Sequence, residues 1–256
     1  MKKELIYQSF ELLNTFNRVE STHWWWEGRR YLITLLKDTN PKKILDVGCG
    51  TGETLMYLHT LFPKAELFGI DTSSDAVSYS HKRGQKNVVI GNAISLPYSP
   101  NTFDTVLFLD VLEHIKDEKK ALLEARRVLK PTGTILITSP ALPFLWSDHD
   151  KNQGHFRRYT KKDLLKLSDE TKLKVLRIGY FNFFLSPIVL LVRLLGKLPF
   201  FHFVVRYDNG INYEVVNHRF INGILTSIFK FEIWLMATGI QYPFGISIAC
   251  VYEKNS

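Results

Sequence analysis

The chain has 256 residues, with 33 Lys and Arg against 25 Asp and Glu and a formal charge of +8. Hydrophobic residues make up 45% and charged residues 23%, which excludes disordered, collagen-like and coiled-coil classes and leaves apolar material for a large core. Cys49 and Cys250 lie too far apart to read as a disulfide framework or a Cys-rich zinc site. With Glu4 ahead of any apolar run, they predict a reducing, cytoplasmic protein without a signal peptide.

Residues 1–40 read as helix, interrupted at Asn14 and at Ser21-Thr22-His23-Trp24-Trp25-Trp26, and Pro41 ends them. From there to about residue 140, short apolar runs rich in β-branched residues alternate with helical stretches. Strands are expected at 43–47, 65–70, 87–90, 105–110 and 134–139, and helices at 53–62 and 117–130. Runs of this kind are buried on both faces, and their alternation with helices predicts an α/β protein with a parallel, doubly wound sheet. Ligands then bind at the carboxyl ends of the strands.

Beyond 140 the pattern changes. Residues 151–180 hold nine Lys and Arg against three Asp and Glu. A sixth strand is expected near 174–181, and a last one at 245–253 reads as alternating. Between them lies an apolar stretch, helical over 220–237, of the length of a lid or substrate wall. Two uncharged runs, 178–192 and 233–252, approach the length of a membrane span. Pro187 interrupts the first, and Gly239, Gln241, Pro243 and Gly245 break the second, so neither is expected to cross a bilayer.

The chemistry concentrates in Ile44-Leu45-Asp46-Val47-Gly48-Cys49-Gly50-Thr51-Gly52. A strand enters three glycines spaced two apart and a helix leaves them, so the backbone turns tightly and presents amides to a ligand. Asp71 ends the next strand, where a carboxylate reaches ribose hydroxyls. The spacing departs from the Gly-x-Gly-x-x-Gly of dinucleotide loops, and Asp46 and Glu53 would repel a pyrophosphate. A cationic ligand suits both. S-adenosylmethionine (SAM), with its ammonium and sulfonium, meets that requirement. The plainer alternative has Asp46 capping the loop amides alone.

In these residues the sequence resembles the class I SAM-dependent methyltransferases, type 11 group. Asp46 through Gly52 is nearly the consensus first motif, and Gly69-Ile70-Asp71 looks like the second. Gly91-Asn92-Ala93 looks like the adenine-flanking segment, although many relatives carry Asp where Asn92 stands. Phe103-Asp104-Thr105-Val106 through Leu109-Asp110-Val111-Leu112-Glu113-His114 looks like the fourth-strand motif beside the methionine moiety. The resemblance covers roughly residues 24–140. It implies a seven-stranded Rossmann-like sheet and SAM as cofactor, held by Asp46, Gly48, Cys49, Gly50, Gly52, Asp71, Thr72, Asn92, Ala93, Leu109 and Asp110. The segments 23–30, 148–160 and 243–247 resemble a bacterial branch acting on lipid-linked or cell-envelope intermediates. The organisation that follows is a helical cap (1–40) and a SAM-binding domain (41–256) carrying an apolar insertion (182–243).

Methyl transfer from a sulfonium is an in-line displacement driven mainly by positioning, and a base is needed only for a protonated nucleophile. His114, past the fourth strand, is the expected base, with a pocket-shaping histidine as the alternative. Trp26, Arg29, His155, Arg158 and Tyr159 are expected at the acceptor, with Arg29 facing an acid and the adjacent Arg157 and Arg158 able to clamp a carboxylate or phosphate. A solvated basic face and simple helix packing are the plainer readings. His149, Asp150 and His155 lack further ligands at supporting spacing, so no metal site is expected.

The expected function is methyl transfer from SAM to a small-molecule or lipid-linked, amphipathic acceptor. A SAM-fold binding or partner subunit without transferase activity is the alternative. The basic stretch beside apolar helices favours a membrane surface over nucleic acid. The protein is therefore expected in the cytoplasm, peripheral to the inner face of the membrane, with a homodimer through the insertion as the competing arrangement.

Overall fold

The computed structural model describes residues 10–195 and 219–255. Seven strands form one sheet: β1 (Lys43–Val47), β2 (Glu66–Asp71), β3 (Val88–Ile90), β4 (Phe103–Leu109), β5 (Leu129–Pro140), β6 (Leu173–Phe181) and β7 (Ser247–Lys254). Their spatial order is β3-β2-β1-β4-β5-β7-β6. β1 to β5 pair in parallel, whereas β7 runs antiparallel to both β5 and β6.

The doubly wound, seven-stranded α/β sheet agrees with expectation: the first five strands are parallel, and β7, which follows the insertion, is reversed. The reason lies in the insertion. It leaves β6 at Phe181 and returns opposite it at Ser247, so the chain re-enters the sheet from the edge it left and must run the other way. β7 is buried along most of its length. Held between β5 and β6, it buries Ile248, Cys250 and Tyr252 on one face and Ala249 and Val251 on the other.

Helices α3 (Glu53–Leu61) and α4 (Ser74–Lys82) cover one face together with a 3-10 segment, Leu32–Thr39. There Ile33, Leu55, Leu58 and Val77 pack on Ile44, Leu107 and Leu136. α5 (Glu118–Val128) and α7 (Lys161–Thr171) cover the other face, placing Leu122, Ala125 and Leu164 on Leu45, Val106 and Ile135. Each such aliphatic side chain contributes about 1.5–3 kcal/mol on burial. The short α6 (Asp148–Asn152) precedes α7.

The N-terminal cap is two helices, α1 (Phe10–Val19) and α2 (Trp24–Tyr31), followed by the 3-10 segment. His23 caps α2 by accepting a hydrogen bond from Trp25 N–H at 3.2 Å. The insertion contributes α8 (Ser186–Leu195) and α9 (Arg219–Ala237); its segment 196–218 lies outside the described residues.

Cap and insertion meet. Phe229 of α9 packs against Trp24, Trp25 and Phe181, with ring centroids 6.1, 6.0 and 5.7 Å away. Asn222 accepts from Trp24 N–H at 2.6 Å and donates to Thr22 O, and Lys230 pairs with Glu27. A side chain at Gly28 would overlap the Phe229 ring, so glycine there permits the close approach of α2 and α9.

The two uncharged runs are not spans: 178–192 divides between β6 and α8, and 233–252 between α9, a turn and β7. α9 itself is long and apolar enough to cross a membrane by length and composition. Here it buries Phe229 and Ile233 and exposes Phe220, Ile224, Phe231 and Trp234.

Candidate active site

β1 delivers its carboxyl end into the glycine loop, where Gly48, Gly50 and Gly52 all take positive φ (69°, 54° and 86°). Gly48 N–H and Cys49 N–H both donate to Ile70 O, at 2.7 and 3.1 Å, pinning the loop to β2. Asp71, at the end of β2, organises the next layer. Its Oδ2 accepts Gly50 N–H and its Oδ1 accepts Ser73 N–H, each at 2.9 Å. Burial raises the Asp71 carboxyl above its ordinary range despite those bonds. Asp46 is fully enclosed, and burial pushes it up to about 7, with Arg29 pulling down and Asp71 pushing up. Burial likewise raises the Cys49 thiol, consistent with packing and not nucleophilic chemistry.

The end of β4 forms the adjoining wall. Asp110 sits at φ 56° and its Oδ1 accepts Thr138 Oγ1–H at 3.0 Å. Arg29 Nη1 donates to Leu109 O at 2.8 Å and to Asp110 Oδ2 at 3.3 Å. Past β3, Asn92 Oδ1 accepts Ile94 N–H at 3.1 Å and Ala93 is buried. Most of these residues line a cavity of about 1230 Å³ at the carboxyl edge of the sheet, bordered by α1 and α2.

Most of the expected site residues line that cavity: Asp46, Gly48, Cys49, Gly50, Asp71, Thr72, Asn92, Ala93, Leu109 and Asp110 on the cofactor side, with Trp26, Arg29, His114, His155 and Arg158. Gly52 and Tyr159 do not. Gly52 instead turns the chain into α3 against Ser80.

Several acceptor-side roles need correction. Arg158 is buried and grips Asp150 with two bonds, Nε to Oδ1 at 2.7 Å and Nη2 to Oδ2 at 3.0 Å, so it is no free anion clamp. Burial alone would raise Asp150, yet the bonds from His155 and Arg158 hold it below the ordinary carboxylate range. Tyr159 is a core residue whose hydroxyl donates to Glu118. Arg29 borders the cavity with its Nη1 engaged by the end of β4. Trp26 borders the cavity, but its ring is buried edge-on against Phe16 and His23 at 5.2 and 5.0 Å. For His114, burial and then neighbouring His155 lower the pKa to about 3, so the ring is neutral and a weak proton acceptor at pH 7, which argues against the general-base role.

Sequence reasoning missed Glu20, Arg83 and Glu113. Glu20 meets Thr51 of the glycine loop, and Arg83 bridges Glu20 at 2.6 Å and Glu53 at 3.0 Å, tying α1 to the loop and to α4. No local pattern signals a contact across 63 positions. Glu113 stands in the Leu112-Glu113-His114 run, and its complete burial appears only in the folded chain.

The strand order, the single reversed strand and the glycine loop define the class I SAM-dependent methyltransferase fold. Residues 45–137 match a family model described as a methyltransferase domain. Among similar proteins, demethylmenaquinone methyltransferase of Thermotoga maritima is 31% identical over 133 residues, covering 52% of this chain and 57% of that protein. The ubiquinone/menaquinone biosynthesis C-methyltransferase UbiE of Desulfotalea psychrophila is 29% identical over 127 residues, 48% of this chain and 50% of that protein. The chain thus spans about half the length of these relatives. Phosphoethanolamine N-methyltransferase 2 of Haemonchus contortus, solved with S-adenosyl-L-methionine, superposes with a TM-score of 0.57 at 19% identity over 88% of this chain and 52% of that one. Geranyl diphosphate methyltransferase, solved with GPP and sinefungin, gives 0.55 at 13% identity over 83% and 71%. At these identities the structural likeness is one of fold.

Proposed function

We propose that this chain is a SAM-dependent methyltransferase acting on a small lipophilic acceptor. The observation that carries the reading is the single cavity joining the glycine loop and Asp71 to an aromatic wall. At about 1230 Å³ it exceeds the ~300–1,000 Å³ of a pocket for one drug-sized ligand, leaving space for cofactor and acceptor together. SAM supplies the electrophilic methyl. The chain supplies a buried carboxylate, Asp46, toward cationic charge, and Asp71 toward ribose hydroxyls. Trp24, Trp25 and Trp26 give the acceptor side an aromatic border. Demethylated quinones are the first acceptors to try, because the two sequence relatives described above are quinone methyltransferases by name. Lipid-linked envelope intermediates are the second, on the resemblance of segments 23–30 and 148–160.

Calorimetric titration of SAM into the full chain tests the cofactor. Asp71→Ala is expected to weaken binding by about 1–3 kcal/mol, the scale of lost hydrogen bonds to a charged group. An unchanged affinity in the folded variant removes Asp71 from the site. Formation of S-adenosylhomocysteine on adding demethylated quinones or membrane lipid extract tests the transfer. SAM binding without turnover on any of them would point to the non-catalytic subunit instead.

A further inference from the structure

Glu113, His114 and His155 converge on the cavity wall beside the end of β4. One carboxylate oxygen and one nitrogen from each ring all lie within 4.8 Å of one another. The two imidazoles meet edge to face with centroids 4.6 Å apart. Glu113 is wholly buried. Its Oε2 accepts Ser139 Oγ–H at 2.8 Å, while its Oε1 is buried with no hydrogen-bond partner. A carboxylate oxygen stripped of water and given no donor is costly, and a cation relieves that cost.

The surroundings hold these groups in place. Phe156 N–H donates to Glu113 O at 2.8 Å, fastening the loop that bears His155 onto the segment after β4. His155 Nδ1 meets Asp150 Oδ1 at 3.0 Å, and Arg158 anchors that carboxylate in turn. A carboxylate behind one ring nitrogen orients the other toward a metal, the usual support for a ligating histidine.

We infer that Glu113, His114 and His155 form a binding site for one divalent transition-metal cation, of which Zn²⁺ is the probe of choice, with its remaining positions open to the cavity. Two imidazoles and one carboxylate favour first-row transition metals over Mg²⁺ or Ca²⁺, which prefer oxygen shells, and three protein ligands with an open position mark a reactive site and not a structural one. Bonds of ~2.0–2.2 Å to such a metal draw the ligand atoms in to about 3.4 Å from one another, a change within reach of small side-chain rotations. A cation there is placed to hold an oxygen atom of the acceptor. That role rests on the methyltransferase reading, whereas binding does not.

The test is titration of the full, chelator-treated chain with ZnCl₂ by calorimetry and with CoCl₂ by visible absorption, with SAM affinity measured in parallel. One equivalent of Zn²⁺ is expected to bind, and Glu113→Gln and His155→Ala each to weaken it about tenfold or more. His59→Ala, on the exposed side of α3, is expected to bind as the parent does. Absence of a stoichiometric site, or unchanged affinity in both ligand variants, overturns the inference. Should either variant fail to fold, the parent's Co²⁺ spectrum decides, since ligand-field bands of nitrogen and oxygen coordination support the site and their absence refutes it. A chain that binds Zn²⁺ but not SAM keeps the metal site and loses the methyltransferase reading, so the two failures are distinguishable.

Discussion

At pH 7 the Asp46 carboxyl stands near its midpoint, because burial raises its pKa to about 7. A ligand with cationic groups binds the ionised form better, so binding draws a proton off. Affinity is then complete above about pH 8 and falls as pH drops through 7, by up to about tenfold per unit. Dissociation constants for SAM between pH 5.5 and 8.5 are expected to rise on the acid side. Asp46→Asn should bind more weakly at pH 8 and show a flat profile there; an unaltered slope in that variant assigns the titration elsewhere. The residue types at this site were legible in the sequence because they cluster within the strand ends. The misreadings share one cause. Arg29, Arg158 and Tyr159 each looked available as a charge or hydroxyl in the chain, and each is taken by a partner, Asp110, Asp150 or Glu118, that only the folded chain brings to it.

Two glycines separate the tasks of the elements that carry them. At Gly50 an added Cβ meets nothing within 4 Å, although φ is +54°; it would project into the space that a cofactor must enter. At Gly28 it would strike Phe229 and push α9 off α2. Gly50→Val is therefore expected to lose SAM binding with only the modest instability of a left-handed β-branched residue, about 1–2 kcal/mol. Gly28→Ala is expected to destabilise by about 1–3 kcal/mol through overpacking while retaining measurable SAM binding. Thermal melts paired with SAM titrations check both, and the reverse pattern would mean the two helices, and not the loop, govern the cofactor. The strands could be read in advance because apolar runs of 5–7 residues persist whatever packs on them. The α2–α9 contact could not, since Trp24 and Asn222 lie 198 positions apart and neither segment's periodicity names its partner.

Seen as a whole, the molecule exposes Ile188, Leu191, Phe220, Ile221, Phe231 and Trp234 on α8 and α9. Such a surface favours an apolar partner at about 25 cal/mol per Å², and a bilayer interface would also deliver a lipophilic acceptor. Reversible binding to anionic liposomes is the expected outcome. Salt should weaken it only modestly, because Lys151, Arg157, Arg158, Lys166 and Lys174 of the basic stretch already have acidic neighbours. Co-sedimentation of the parent and Trp234→Glu across a salt series measures this; a parent that stays in the supernatant and elutes as a dimer identifies the face as a self-interface. The reversed strand has a consequence in time. β7 lies between β5 and β6 in space but is made after both, and β6 has β7 as its one neighbour in the sheet. When Phe181 is added to the growing chain, its partner Ser247 is still 66 positions from synthesis. β1 to β5, which carry the glycine loop and Asp71, can assemble as they emerge. β6 must wait, and α9 must follow before Trp24 and Trp25 of α2 have Phe229 to pack against. The cofactor half of the cavity is thus available for folding on the nascent chain, while the acceptor half closes only afterwards.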